Sequence, residues 1–134
     1  MNCWIYKDKP LTSLPNNTQG FVYIIYDTVN NKKYIGKKNF WTTKKLPPLK
    51  GKKNKRHVKV ETDWRDYYGS NNEIKSIIAK NGISQFRREI LVMCENKVTM
   101  SYWETKLQFE HDVLLSDEYY NDYIGCRITS RGLK

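Results

Sequence analysis

The chain has 134 residues, 24 of them Lys or Arg and 14 Asp or Glu, for a formal net charge of +10. That length suits a single domain spanning 1–134, and 39% hydrophobic with 28% charged residues supports a packed core rather than disorder. The longest apolar run is Phe21–Tyr26, far short of a bilayer span, and no signal-like stretch opens the sequence, so the reading is a soluble, intracellular protein without a membrane.

Phe21–Tyr26 is rich in aromatic and β-branched residues and predicts a strand. Asp27–Asn31 supplies turn residues, and Lys33–Gly36 returns as the second strand of a hairpin. From Phe40 to His57, Pro47–Pro48, Gly51 and a run of lysines predict an irregular, mobile excursion. Ser70–Asn71–Asn72–Glu73 has capping-box spacing, followed by Ile74, Ile77 and Ile78 on one helical face and a stop at Asn81–Gly82. Phe86–Cys94 regains strand character. A second helix is predicted from about Thr99 to Leu115, and Tyr119–Gly125 reads as an aromatic turn. The order β-β-α-β-α predicts an α+β fold with a small, mostly antiparallel sheet.

The charge is concentrated. Between Thr28 and Val60 there are 12 basic residues and no acid, so this segment carries +12 while the remainder is slightly negative. Such a field attracts a polyanion, with nucleic acid the leading candidate; a solvated loop that keeps the protein soluble is the plainer alternative. Lys37, Lys38, Lys45, Lys50, Lys52, Lys53, Lys55, Arg56 and His57 are the candidate phosphate contacts, and Trp41 is a candidate stacking partner for a base. Cys3, Cys94 and Cys126 are odd in number and widely spaced, which disfavours both a disulfide framework and a structural zinc.

Gly20–Phe21–Val22–Tyr23 followed by Tyr34–Ile35–Gly36 resembles the paired motif of the GIY-YIG nucleases. The second tripeptide matches in full, and the first reads Phe–Val–Tyr. The resemblance extends over roughly Gly20–Gly125: the strand at Phe86–Cys94 falls where that family has its third strand. Glu104 falls on the second helix, and Asn121 lies beyond it. It implies a DNA endonuclease giving 5′-phosphate and 3′-hydroxyl products, with Tyr23 as general base and Tyr34 positioning the water or a phosphate oxygen. Glu104 would hold one divalent ion, magnesium or in its place manganese, and Asn121 would fix the geometry. The family's arginine clamp falls about ten residues after Tyr34, where this chain has Lys44; Arg65 is the alternative. A compact stand-alone form of this kind resembles phage-encoded nucleases, acting as a nicking monomer or as a homodimer or higher oligomer.

Each residue has a plainer reading. Tyr23 and Tyr34 also suit a cross-strand aromatic pair. Ser101–x–x–Glu104 also fits a capping box, unless Thr99 is the cap. Arg65 also suits a surface salt bridge to Asp63 or Asp66, and Asn121 a turn. Gln108 and His111 follow Glu104 at helical spacing, on a face that either lines a cleft or is solvated. The rival class is a non-catalytic nucleic-acid-binding protein that uses the same basic segment.

Overall fold

The computed structural model describes residues 2–125, 128 and 130–133, so Cys126 lies outside the described residues. Two short strands open the chain, β1 (Ile5–Tyr6) and β2 (Lys9–Pro10). The hairpin follows as β3 (Gly20–Asp27) and β4 (Lys32–Asn39). Next come β5 (Trp41–Leu46), β6 (Arg56–Glu61) and a single 3₁₀ turn at Trp64–Asp66. Then come α1 (Asn72–Asn81), β7 (Phe86–Cys94), α2 (Lys97–Glu110) and a last turn of helix, α3 (Ser130–Leu133). The fold is α+β. No helix among the described residues is long and apolar enough to cross a membrane.

Five strands form one sheet in the order β2-β1-β7-β3-β4, antiparallel except for the β1–β7 pair. The pleat of β3 divides the interior. Phe21, Tyr23 and Ile25 face α1 within a cluster that includes Trp4, Phe40, Trp64, Ile74 and Phe86. Val22 and Ile24 face α2 with Ile35, Cys94, Met100 and Val113. On the first side Phe21 packs 4.8 Å from Phe40 and 4.9 Å from Trp4, between ring centroids. Such pairs add roughly 0.5–1.5 kcal/mol each beyond area burial. Against Val22 and Tyr23 the register of β7 shifts by one residue, a bulge that leaves Leu91 without a partner.

Four expectations need correction. The sheet gains β1 and β2, recruited because Trp4 is 1% exposed and donates its indole N–H to the Trp64 carbonyl at 2.6 Å. The segment from Phe40 to His57 is not irregular throughout. Trp41–Leu46 and Arg56–Glu61 pair residue for residue as an antiparallel ribbon, and the prolines and Gly51 are confined to its connection. Alternation in Arg56–His57–Val58–Lys59–Val60–Glu61 carries the β signal that the lysines obscure.

Helix α1 is capped by Asn71, not Ser70: the Asn71 side chain accepts from the Glu73 and Ile74 amides at 2.9 and 3.1 Å. Helix α2 is capped by Asn96, which accepts from the Thr99 amide at 2.8 Å, so neither Thr99 nor Ser101 caps it. It ends at Glu110 rather than Leu115. Asp112 takes a left-handed φ of 50°, and the chain turns back so that Val113 re-enters the core.

Candidate active site

Tyr23 and Tyr34 are diagonal neighbours on one face of the hairpin, because the register sets Tyr23 opposite Gly36 and Ile25 opposite Tyr34. Their ring centroids are 6.3 Å apart. Gly36 creates the space: a Cβ there would lie 2.5 Å from the Tyr23 hydroxyl and 2.7 Å from its ring. Gly69, at φ 88°, comes close from the other side, where a Cβ would sit 3.3 Å from the same hydroxyl. Tyr67, on the segment between the 3₁₀ turn and α1, meets Tyr23 edge-on at 6.1 Å and carries the Lys38 ammonium 4.1 Å above its own ring. Lys38 is in turn paired with Asp63 at 2.6 Å.

β4 is the last strand of its sheet, and its outer edge is sealed by the chain's later segment. The Lys33 amide donates to the Glu118 carbonyl at 2.8 Å, and the Tyr120 amide donates to the Lys33 carbonyl at 2.7 Å. One step along, side chains take over. Asn121 accepts from the Ile35 amide at 3.1 Å and donates back to the Ile35 carbonyl at 2.9 Å, with Gln108 donating to that carbonyl at 3.0 Å. The Asn121 amide thus stands in for a strand residue, and both it and Gln108 are buried. Their polar face lines a cleft, whereas His111, one turn on, is exposed beside the Tyr119 hydroxyl.

This arrangement opens a cavity of about 200 Å³ at the strand edge, lined by Tyr34, Lys37, Ser70, Glu104, Gln108, Asn121, Asp122, Tyr123 and Gly125. It draws on both sides of the sheet, since Tyr34 projects toward the α1 side and Glu104 comes from α2. Tyr34 shares a hydrogen bond with Ser70 at 3.2 Å, and Lys37 donates to Ser101 on α2 at 2.7 Å. Glu104 has no hydrogen bond or ion pair among the described residues. Burial raises its pKa, and the charge of Lys37 pulls the other way. Burial also raises the Tyr34 phenol, against the Ser70 hydrogen bond. Tyr23, 1% exposed, is raised well above the ordinary phenol range by burial, then by Tyr67 and Tyr34. In the free protein Tyr23 therefore holds its proton at neutral pH.

A half-buried carboxylate without a partner among the described residues, in a polar cavity that also holds amide and hydroxyl oxygens, offers the donors that a hard cation accepts. Magnesium suits it because that ion keeps most of its water and needs few protein oxygens. Among the described residues no group of three or more His, Cys, Asp and Glu is placed to enclose a metal, so Glu104 would act with water and substrate.

The two candidates for the arginine clamp both stand apart from this cavity. Lys44 lies on β5, exposed and opposite Val58. Arg65 stacks on Trp64 at 4.6 Å, pairs with Glu61 at 3.1 Å and donates to the Thr12 carbonyl at 2.6 Å. Its ion pair is thus with Glu61, not with Asp63 or Asp66. Among the described residues the lysine lining the cavity is Lys37, which the sequence presents only as one of a run of phosphate-binding cations. Sequence reasoning also misses Tyr67 and Ser70; the one clue to them is the Tyr67–Tyr68–Gly69 step before a helix cap. The remaining candidates, Lys45, Lys50, Lys52, Lys53, Lys55, Arg56 and His57, are exposed on the β5–β6 ribbon and its connection.

A further residue holds this face together. Arg88 is 1% exposed, sandwiched between the Trp4 and Tyr68 rings at 4.7 and 4.1 Å. Its guanidinium donates to the carbonyls of Asn2, Arg65 and Tyr67 at 2.6, 2.9 and 2.8 Å. It therefore fixes the segment that brings Tyr67 to Tyr23.

The family model described as "Putative endonuclease segE, GIY-YIG domain" matches residues 4–124 of the chain. No protein of curated function and no solved structure matches it. The match begins at Trp4, so it takes in the β1 and β2 strands that precede the tyrosine motif.

Proposed function

This chain belongs to the GIY-YIG nuclease family, and from that premise we propose that it is a metal-dependent endonuclease hydrolysing DNA phosphodiester bonds to 5′-phosphate and 3′-hydroxyl ends. The observation that carries this reading is the half-buried Glu104 carboxylate, unpartnered among the described residues and sharing one cavity with Tyr34, Lys37 and Asn121, beside the buried Tyr23. Glu104 would hold a single magnesium or manganese ion. An ion held there would supply positive charge to the scissile phosphate and its leaving oxygen and would lower the pKa of neighbouring acids.

The side chains divide the remaining work. Tyr34, aligned by Ser70, orients the attacking water or a phosphate oxygen. Tyr23 takes up the water's proton, and its raised pKa makes it a strong acceptor only after the site has gained enough positive charge to ionise it. Lys37, steadied by Ser101, neutralises phosphate charge in the role that the family gives to an arginine, as a point charge rather than a planar fork. Asn121 and Gln108 hold the Ile35 carbonyl and so keep Gly36 pressed against Tyr23.

One active site cuts one strand per event, so a monomer gives a nicked circle first; a double-strand break needs two copies or two visits. Supercoiled plasmid incubated with magnesium, with manganese and with a chelator tests the proposal. Nicking only with metal, at ends that ligase reseals without prior phosphorylation, is the expected result. A mobility shift with no cutting under any metal would instead make the chain a nucleic-acid-binding protein.

A further inference from the structure

The basic segment is organised for more than a grip on phosphates. β5 and β6 pair over six residues each, about 20 Å of ribbon, and they pack almost wholly on each other. The ribbon is rooted where Thr62 returns to β4, its amide donating to the Phe40 carbonyl at 2.9 Å and its hydroxyl to the Asn39 carbonyl at 2.6 Å. From Trp41 to Glu61 it holds eight Lys and Arg residues and a single acid, Glu61, placed at the root.

Its two faces differ. The register puts Thr43 beside Lys59 and Lys45 beside His57 on one face, all four exposed. The other face sets half-buried Leu46, Val58 and Val60 against exposed Arg56, Lys44 and Thr42, so it is part apolar and its cations are left to the flanking phosphates. The polar face does not end with the ribbon. It runs into a concavity of about 330 Å³ shared with Gln19 and with Lys97 at the start of α2, where Lys59 lies 5.0 Å over the Trp41 ring.

A two-stranded ribbon has backbones about 4.8 Å apart, so with its side chains it fits a major groove about 12 Å wide. Lysine and histidine donors can reach guanine O6 and N7, and a threonine methyl can meet a thymine methyl. We propose that the β5–β6 ribbon enters the major groove of duplex DNA and reads base edges with Thr43, Lys45, His57 and Lys59, while the connection from 47 to 55 holds the flanking phosphates. This rests on the DNA reading above, and it adds base selectivity to a segment whose charge alone accounts only for a grip on phosphates.

The full chain carrying Glu104→Gln, in magnesium-free buffer so that cutting does not deplete the pool, is presented with randomised duplexes, and the retained DNA is sequenced and probed with dimethyl sulfate. Because this variant is scored on binding, the result is independent of whether the wild-type chain cuts plasmid. Enrichment of a motif, with guanine N7 protected over about six base pairs, is expected. Adding Lys45→Ala and His57→Ala should erase the N7 protection and cost about tenfold or more in affinity for the selected duplex, with a much smaller loss on random duplex. Adding Lys50→Gln, Lys52→Gln, Lys53→Gln and Lys55→Gln should instead weaken both duplexes alike and leave the motif intact. An unenriched pool, protection of adenine N3 in the minor groove, or a motif indifferent to Lys45 and His57 would each overturn the proposal.

Discussion

The edge of β4 and the β5–β6 ribbon are separated by one residue, Phe40, yet they are held by opposite means. At the edge, buried amides, a backbone-mimicking asparagine and a glycine against a tyrosine ring leave each side chain one position. The ribbon is held by its own ladder and presents cations to solvent. Chemistry needs geometry fixed to fractions of an ångström, and a polyanion needs only charge within reach. The two neighbours therefore should fail differently when altered.

The largest effect is expected at the carboxylate. Glu104→Gln should lower the cleavage rate by about 10²–10³-fold or more, because one group positioned for the developing charge is removed. It should also raise the melting temperature. The Glu104 pKa is raised in the folded state, so its ionised form at neutral pH opposes folding, and a neutral isostere removes that cost. A melting temperature that falls would mean that the carboxylate is stabilised by a contact rather than strained by burial, so paired thermal melts and rates separate the two.

Tyr23→Phe keeps the packing and removes the hydroxyl proposed as proton acceptor. A rate loss of about 10²–10⁴-fold with little change in DNA affinity is expected in single-turnover assays. Gly36→Ala strikes the same hydroxyl sterically, since the added carbon would lie 2.5 Å from it. That change should cost about 1–3 kcal/mol of stability and, by displacing Tyr23, about 10²-fold in rate. An unchanged rate in either variant would remove Tyr23 from the reaction.

Further from the cavity, Asp27 secures the segment that carries Asn121. It accepts from the Tyr120 hydroxyl at 2.6 Å, from Gln85 at 2.8 Å and from the Val29 and Asn30 amides at 3.0 Å. These hydrogen bonds outweigh burial and bring its pKa down to about 2, from an ordinary value of 3.8. A depressed folded pKa stabilises above the unfolded value, so about 2 kcal/mol should disappear as pH falls from about 4 through 2. Melting temperatures across that window should drop in the wild type more steeply than in Asp27→Asn. Equal slopes would mean that the carboxylate is not what ties Tyr120 down.

Much of this is legible in the sequence, and what is not has a physical reason. Tyr34–Ile35–Gly36 announces the hairpin, and the β-branched run before it sets the register, because a slip by one would bury lysines. The glutamate and the asparagine follow at readable positions. The role of Asn121 as a substitute strand residue is not readable, since it depends on where the chain from Glu118 onward meets β4. Arg88 is equally hidden: an arginine in a strand reads as a surface charge until Trp4 and Tyr68 close over it. The ribbon is masked by its lysines, which carry little β propensity. Counting along the chain points to Lys44 as the clamp, and the ribbon that counting does not see carries it away from the cavity.

The most direct measurement crosses the two regions. Single-turnover cleavage at saturating protein and affinity over a salt series are recorded for Glu104→Gln and for a ribbon variant altered in its connection, Lys50→Gln, Lys52→Gln, Lys53→Gln, Lys55→Gln. The carboxylate variant should stop cutting and keep the wild-type salt slope. The ribbon variant should keep its saturated rate while the slope of log affinity shrinks by up to about 0.9 for each phosphate that is no longer neutralised. A ribbon variant that binds normally but cannot cut, or a Glu104→Gln chain that cuts at the wild-type rate, would contradict the division of labour between the strand edge and the ribbon.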